Sequence, residues 1–145
     1  AHQPRLLILD EATAGLDPVV RDEILDEFLS FICDEDHAIL ISSHITSDLE
    51  KAADYITYLH QGRVVLSQPK DELLDRYGRV GCSTGDLAAI EPGDLLRVRR
   101  GTFGCEGLTS DRDVFQKKYP GLTVDPASLE DIMLLIGKGE SLCTD

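Results

Sequence analysis

The chain has 145 residues, 42% of them hydrophobic and 28% charged, the composition of one globular domain or one domain with an appendage. Its 27 acids against 14 bases leave a net charge of −13, and a surface that acidic repels phosphate, which excludes a broad nucleic-acid-binding face. No apolar run approaches the roughly 20 residues of a membrane helix, and the opening residues carry no secretory pattern.

Arg5 to Leu9 contains Leu-Leu-Ile-Leu and ends in Asp10-Glu11. An apolar run without alternation predicts a strand covered on both faces. Asp17-Pro18 supplies a helix cap and a proline for the first helical position. Val20, Ile24, Leu25, Phe28, Leu29 and Ile32 follow at helical spacing. His37 to Ser43 is a second short apolar strand, ending at His44. Ser47-Asp48-Leu49-Glu50 reads as a capping box that opens a short helix. Tyr55 to Leu59 and Arg63 to Ser67 predict a hairpin through His60-Gln61-Gly62. Pro69 precedes a helix over about 70–77, with Gly78 as its stop.

The charge texture changes there. Residues 1–78 hold 16 acids and 6 bases, net −10, and residues 79–145 hold 11 and 8, net −3, so a domain boundary is expected near 78–82. Beyond it, residues 79–83 predict a strand, 86–90 a short helix, and Asp94 to Arg99 with Phe103 to Leu108 a hairpin. Asp111 to Tyr119 predicts a helix and Gly121 to Val124 a strand. The order β-α-β-β-α-β is the ferredoxin-like pattern. A last helix, capped by Ser128 or Asp125, carries Leu129, Ile132, Met133 and Ile136 on one face, read as core.

Cysteines at 33, 82, 105 and 143 lack any CxxC spacing, and histidines at 2, 37, 44 and 60 lack metal-ligand spacing. The expectation is four free thiols in a reducing compartment, with Cys33 a small core residue of the first helix.

Strand, helix, strand, helix predicts an α/β fold with a largely parallel sheet, whose ligands bind at the carboxyl ends of the strands. Asp10-Glu11 and His44 stand at such ends. An acid directly after a buried strand is costly unless something polar uses it. A nucleotide-bound Mg²⁺ is the efficient use: one carboxylate supports the metal, often through water, and the other orients an attacking water. The six residues Leu6 to Glu11 alone leave open a strand that ends in solvated acids.

Ala14-Gly15-Leu16-Asp17-Pro18 follows at once, and Ser42-Ser43-His44 places its histidine 33 residues after Glu11. Tyr58-Leu59-His60-Gln61-Gly62-Arg63-Val64-Val65 completes the series. In this order and spacing the segment from residue 1 to about 78 resembles the ATP-binding subunit of ABC transporters. The resemblance implies a P-loop NTPase (ABC ATPase) domain. Leu6 to Glu11 resembles the Walker B strand with its catalytic glutamate, Ala14 to Asp17 the D-loop, and His44 the switch histidine. ATP and Mg²⁺ are the implied cofactors. Asp10 would support the metal, Glu11 would polarise the hydrolytic water, and His44 would contact the γ-phosphate and that water. Asp17 would cross the interface between two ATPase subunits and couple their nucleotide sites. Asp17 is equally a good helix cap, and His44 has the plainer alternative of a satisfied histidine at the start of a helix. Implied partners are a second, identical or different, ATPase subunit and transmembrane permease subunits at the inner face of the cell membrane.

Val124 to Met133 resembles the C-terminal helix of ABC-2-type export ATPases, which narrows the expectation to an exporter. Arg97, Arg99 and Arg100 form the chain's basic knot, read as a solvated hairpin rim, with anionic lipid headgroups or the membrane subunit as alternative contacts.

The family's pattern is also departed from. The chain contains no G-x-x-x-x-G-K-[ST]; its Gly137-Lys138 is followed by Gly139. The Gln loop and the LSGGQ-type signature are absent too, and in the family all three precede the Walker B strand. The opening Ala1-His2-Gln3-Pro4 resembles the end of the helix after the signature. The expectation is therefore the C-terminal part of an ABC ATPase domain (1–78) with a small α+β, possibly ferredoxin-like, accessory or regulatory region (79–145). By itself such a chain would bind ATP poorly and hydrolyse none. Alternatives are a soluble ABC-type ATPase of repair or translation, whose usual coiled-coil insertions and basic segments are not seen here, and a non-catalytic regulatory ABC-like module.

Overall fold

The computed structural model describes residues 4–142. The opening tripeptide with His2, and Cys143, lie outside the described residues. The chain divides into two compact units, the first ending at Asp54 and the second beginning at Tyr55. Among the described residues no helix is long and apolar enough to cross a membrane.

The first unit runs β1 (Leu6–Asp10), α1 (Pro18–Phe31), β2 (Ala38–Ser42), α2 (Thr46–Ala52). β1 and β2 pair in parallel, from Leu6 opposite Ala38 to Asp10 opposite Ser42. A parallel pair needs a crossover, and α1 supplies it. α1 starts where its cap dictates: Asp17 accepts from the amides of Val19 and Val20, and Pro18 fills the first helical position. The strands are not covered on both faces, contrary to their apolar sequences. Leu6, Ile8 and Leu40 are 54%, 70% and 63% exposed on one face, whereas Leu7, Leu9, Ile39 and Ile41 on the other are half-buried. The described part of this unit packs against one face only. Cys33 is exposed rather than core, because α1 ends at Phe31 and the residue lies past its C-cap Ile32. The capping box expected at Ser47–Glu50 does not form either. α2 begins two residues earlier, with Ile45 at its cap and no side-chain cap bond, and Asp48 turns inward.

The second unit runs β3 (Tyr55–His60), β4 (Arg63–Pro69), α3 (Lys70–Arg76), β5 (Gly78–Cys82), α4 (Thr84–Ala89), β6 (Arg97–Gly101), β7 (Gly104–Thr109), α5 (Arg112–Lys118), β8 (Thr123–Pro126), α6 (Leu129–Lys138). β3 and β4 form the expected hairpin, closing His60 against Arg63. Its two central residues, Gln61 and Gly62, both have positive φ (50° and 74°), the geometry that matches strand twist in a two-residue loop. β5 to β8 form one antiparallel sheet in the order β6-β7-β5-β8. α4 is closed by a Ser83–Asp86 capping box, and α6 by a Ser128–Asp131 box rather than by Asp125. Val80, Leu87, Ile90, Leu95, Val98, Cys105 and Phe115 form the core. Leu129, Ile132, Leu135 and Ile136 of α6 are also buried, and Met133 is half-buried.

Gly78 does not stop α3; Tyr77 in extended conformation does. Gly78 opens β5, where a Cβ would stand 2.7 Å from Arg112 Cβ and 2.8 Å from Val124 Cγ1. By compactness the chain divides between residues 54 and 55. Contacts within the second unit cross residue 78: Arg112 donates to the Leu74 carbonyl at 3.0 Å, and Ala127 donates to that of Tyr77 at 3.1 Å. Arg97 and Arg99 share a face of β6, as the pleat requires, and Arg99 stands opposite Glu106 of β7.

Candidate functional site

The carboxyl ends of β1 and β2 are adjacent because the strands are parallel and in register. Asp10 is paired with Ser42, and the Ser42 hydroxyl donates to Asp10 Oδ1. Glu11 follows with φ 49°, a left-handed conformation uncommon outside glycine, asparagine and aspartate. Its amide is held there by the Ser42 carbonyl at 2.9 Å and the Ser42 hydroxyl at 3.3 Å, and its carbonyl accepts from Ala14 at 3.1 Å. Two adjacent residues on a regular strand point to opposite faces. The reversal at Glu11 breaks that alternation and sends its carboxylate toward the end of β2.

There it meets His44. Glu11 Oε2 and His44 Nδ1 are 2.8 Å apart, although 33 residues separate them in sequence. An ionised carboxylate only accepts, so Nδ1 carries the proton and donates. Nε2 is then the ring atom that faces other chemistry. Both side chains are open to solvent, so as a surface pair this contact adds little stability. Its content is positional.

Asp10, Glu11 and His44 are thus brought together at one strand edge, with Ser42 between them. Asp17 is not. It caps α1, and one oxygen, Oδ1, takes both the Val19 and Val20 amides at 3.0 and 3.1 Å. No hydrogen bond or ion pair joins it to the other three among the described residues. Neither do three or more His, Cys, Asp or Glu groups converge into a protein-only metal site among them. Hard carboxylate and hydroxyl oxygens at Asp10 and Ser42 suit Mg²⁺, which is commonly held by one or two carboxylates together with substrate phosphates and waters.

Three further residues, none marked as functional by its sequence pattern, hold this edge in shape. Thr13 is fully buried in the turn after β1, and its hydroxyl donates to Asp48 Oδ2 at 2.8 Å. Asp48 is 4% exposed, and its other oxygen takes Arg21 Nε at 3.3 Å and Nη2 at 3.2 Å. The network links the turn that carries Glu11, the first turn of α1, and the helix that follows His44. In sequence, Asp48 is one acid among several polar residues at a helix start. Only a charged residue turned into the unit reveals it. A second tie joins α1 to α2: Lys51 reaches Asp22 at 2.5 Å and Asp26 at 2.9 Å. Those hydrogen bonds raise the Lys51 pKa above the usual lysine value, Asp22 first and Asp26 next. His37 is a structural histidine, stacked on Phe31 with ring centroids 4.3 Å apart and bonded to its carbonyl through Nδ1 at 3.0 Å.

No family model matches the chain. It is similar to an energy-coupling factor transporter ATP-binding protein of Clostridium acetobutylicum, 40% identical over 138 residues that cover 93% of this chain and 43% of that protein. It is similar to Nod factor export ATP-binding protein I of Neorhizobium galegae, 29% identical over 146 residues, 92% of this chain and 41% of the relative. A lantibiotic transport ATP-binding protein of Streptococcus pyogenes is 43% identical over 70 residues, 48% of this chain and 30% of the relative. The chain spans less than half the length of these curated relatives.

Proposed function

Because this chain belongs to the family of ABC transporter ATP-binding proteins, we propose that it supplies the hydrolytic edge of an ATPase subunit that powers an exporter. The observation that carries the reading is the Glu11–His44 contact of 2.8 Å beside the Asp10–Ser42 pair, at the carboxyl ends of two parallel strands. In such sheets ligands bind at those ends.

Asp10, steadied by the Ser42 hydroxyl, would hold Mg²⁺ through water. When bound, Mg²⁺ would supply positive charge that offsets the charge developing on the ATP phosphates. Glu11 orients the attacking water and takes up its proton, with the carboxylate aimed by the left-handed turn and by His44. His44, with Nδ1 engaged by Glu11, presents Nε2 to a γ-phosphate oxygen or to the same water. Asp17 meets a second ATPase subunit across the dimer interface, with one oxygen committed to capping α1. Transmembrane permease subunits complete the assembly at the inner face of the cell membrane, and no nucleic acid takes part.

We assign residues 1–78 to the C-terminal part of the ATPase domain and residues 79–145 to an accessory region. The β-α-β-β-α-β order and the strand order β6-β7-β5-β8 support a ferredoxin-like reading of that region. The export reading draws on the Nod factor export and lantibiotic transport relatives. The energy-coupling factor relative, with 40% identity across 93% of the chain, favours a second reading as the ATP-binding protein of an energy-coupling factor transporter.

Glu11→Gln in the whole protein tests the assignment. Turnover falls by at least about 100-fold, the usual scale for general-base loss, while ATP binding is retained. Near-normal turnover in that variant refutes the role of Glu11. The 145-residue chain alone, which contains no phosphate-cradling G-x-x-x-x-G-K-[ST] motif, hydrolyses no ATP; measurable turnover by it overturns the reading of this chain as an incomplete ATPase.

A further inference from the structure

The β5–β7 ladder sets Cys82 directly opposite Cys105. Directly opposed residues of an antiparallel pair have Cα atoms about 4.5 or 5.5 Å apart, according to their hydrogen-bonding class. Both separations lie within the roughly 4.4–6.8 Å over which a disulfide closes. Opposed residues also leave the sheet on the same face, so the two sulfurs emerge side by side. Both thiols are free in this structure. Cys105 is 4% exposed among Val80, Leu87, Ile90 and Phe115, and Cys82 is half-buried against the same cluster. Among the described residues neither belongs to a group of three or more His, Cys, Asp or Glu that could hold a metal ion.

We propose that Cys82 and Cys105 form an intramolecular disulfide site in the second unit, whose oxidant is a low-molecular-weight disulfide such as oxidised glutathione. The proposal is independent of the ATPase reading, because all of its residues lie in the second unit. Cys82, the more accessible thiol, reacts first. It gives its proton to solvent, and its thiolate attacks one sulfur of oxidised glutathione. The S–S bond of the oxidant breaks, a Cys82–glutathione disulfide forms, and one glutathione thiolate leaves. Cys105 then loses its proton and attacks Cys82 Sγ, displacing the second glutathione thiolate. Two protein thiols are oxidised by two electrons in total, one oxidised glutathione is reduced to two thiols, and the two protons end on those thiols. Burial, then the neighbouring Cys105, then Asp86 hold the Cys82 thiol above the usual cysteine pKa, which makes the first step slow at neutral pH.

Directly opposed Cβ atoms in a sheet lie about 4.5–5.5 Å apart, a little beyond the roughly 3.5–4.5 Å of a relaxed disulfide. Closure therefore draws β5 and β7 together, and dithiothreitol reopens the bond readily. The exposed Cys33, in the first unit, serves as an internal reference that takes up glutathione without an opposed partner.

The test is to incubate the 145-residue chain with oxidised glutathione, block the remaining thiols, digest it without reduction and map the linked peptides by mass spectrometry. A Cys82–Cys105 linked peptide, with an upward shift of the melting midpoint that dithiothreitol reverses, is expected. Cys82→Ser, at the half-buried position, abolishes the linkage while adduct formation at Cys33 continues at the wild-type rate. Recovery of Cys82 and Cys105 as separately blocked or glutathionylated thiols in the wild-type chain overturns the proposal, and so does linkage of either one to another cysteine instead. The wild-type map is decisive even if a cysteine variant folds poorly.

Discussion

Replacing Asp48 with alanine removes a carboxylate that serves one buried and one half-buried partner at once. Thr13 loses the acceptor of its 2.8 Å hydrogen bond and has no exposure through which to reach water. An unsatisfied buried hydroxyl costs about 1–3 kcal/mol. Arg21 loses the acceptor of its contacts at 3.2 and 3.3 Å, but its side chain is 27% exposed. Breaking a fully buried pair costs about 3–5 kcal/mol, whereas exposed pairs are worth about 0–1 kcal/mol. Arg21 can reach water, so its share sits near the lower figure. The expected destabilisation of the first unit is about 1–4 kcal/mol, combining the hydroxyl and the screened guanidinium. Asp48→Asn can keep a carbonyl acceptor for Thr13 and gives up the charge and the acceptor of Arg21, which can reach water, so it costs less than alanine. The assay is urea unfolding of the 145-residue chain with hydrogen exchange at β1 and β2 as the readout local to that unit. Thr13→Val in the Asp48→Ala background separates the pair: little further loss is expected, because the hydroxyl is already orphaned. An Asp48→Ala variant within about 0.5 kcal/mol of wild type, the range of unremarkable surface changes, refutes the reasoning that this carboxylate holds the edge together.

Asp17→Ala removes the acceptor of the Val19 and Val20 amides; a loss of about 1 kcal/mol and reduced helicity are expected by circular dichroism. Gly78→Ala forces a Cβ to within 2.8 Å of Arg112 Cβ and Val124 Cγ1, and thermal melting should report a loss of about 1–3 kcal/mol. Gly81→Ala, with nothing within 4 Å, is the control on the same strand and should change stability little. Lys118 first and Tyr119 next hold the Asp94 carboxyl below the usual aspartate value. A depressed folded pKa stabilises above the unfolded value, near 3.9, and that stability is lost as pH falls through the folded value. Asp94→Asn should therefore melt below wild type at pH 6–7, and the two curves should converge as pH falls below about 4. If the gap persists unchanged at low pH, the carboxylate charge is not its source.

Local features of this chain are read directly from its residues. Asp17-Pro18 announces the start of α1, His60-Gln61-Gly62 announces a tight hairpin, and Ser128 caps α6, because caps and turns depend on a few neighbouring residues. The positions of Asp10, Glu11 and His44 at strand ends are legible for the same reason: each closes a short apolar run. Their common edge is also foreseeable, since a strand-helix-strand unit makes a parallel pair. Burial departs from the sequence expectation at β1, β2 and Cys33, where it depends on what lies beyond the element. The apolar strands β1 and β2 promised cover on two faces, and Cys33 promised a core position, yet cover is supplied by other elements and not by the residue itself.

The sequence by itself determined which segments become strands and helices, and which chemically able side chains stand at their ends, because those are matters of period, cap and turn. Tertiary structure alone decided the pairings: Glu11 with His44, Thr13 and Arg21 with Asp48, Cys82 with Cys105, and Gly78 beneath Arg112 and Val124. Each joins residues far apart along the chain: Cys82 meets Cys105 through strand register, and Glu11 meets His44 through the register of β1 with β2 and the left-handed turn at Glu11. One step of register between β5 and β7 would turn Cys82 and Cys105 to opposite faces of the sheet. The identities of the residues permit the contacts, and the register makes them.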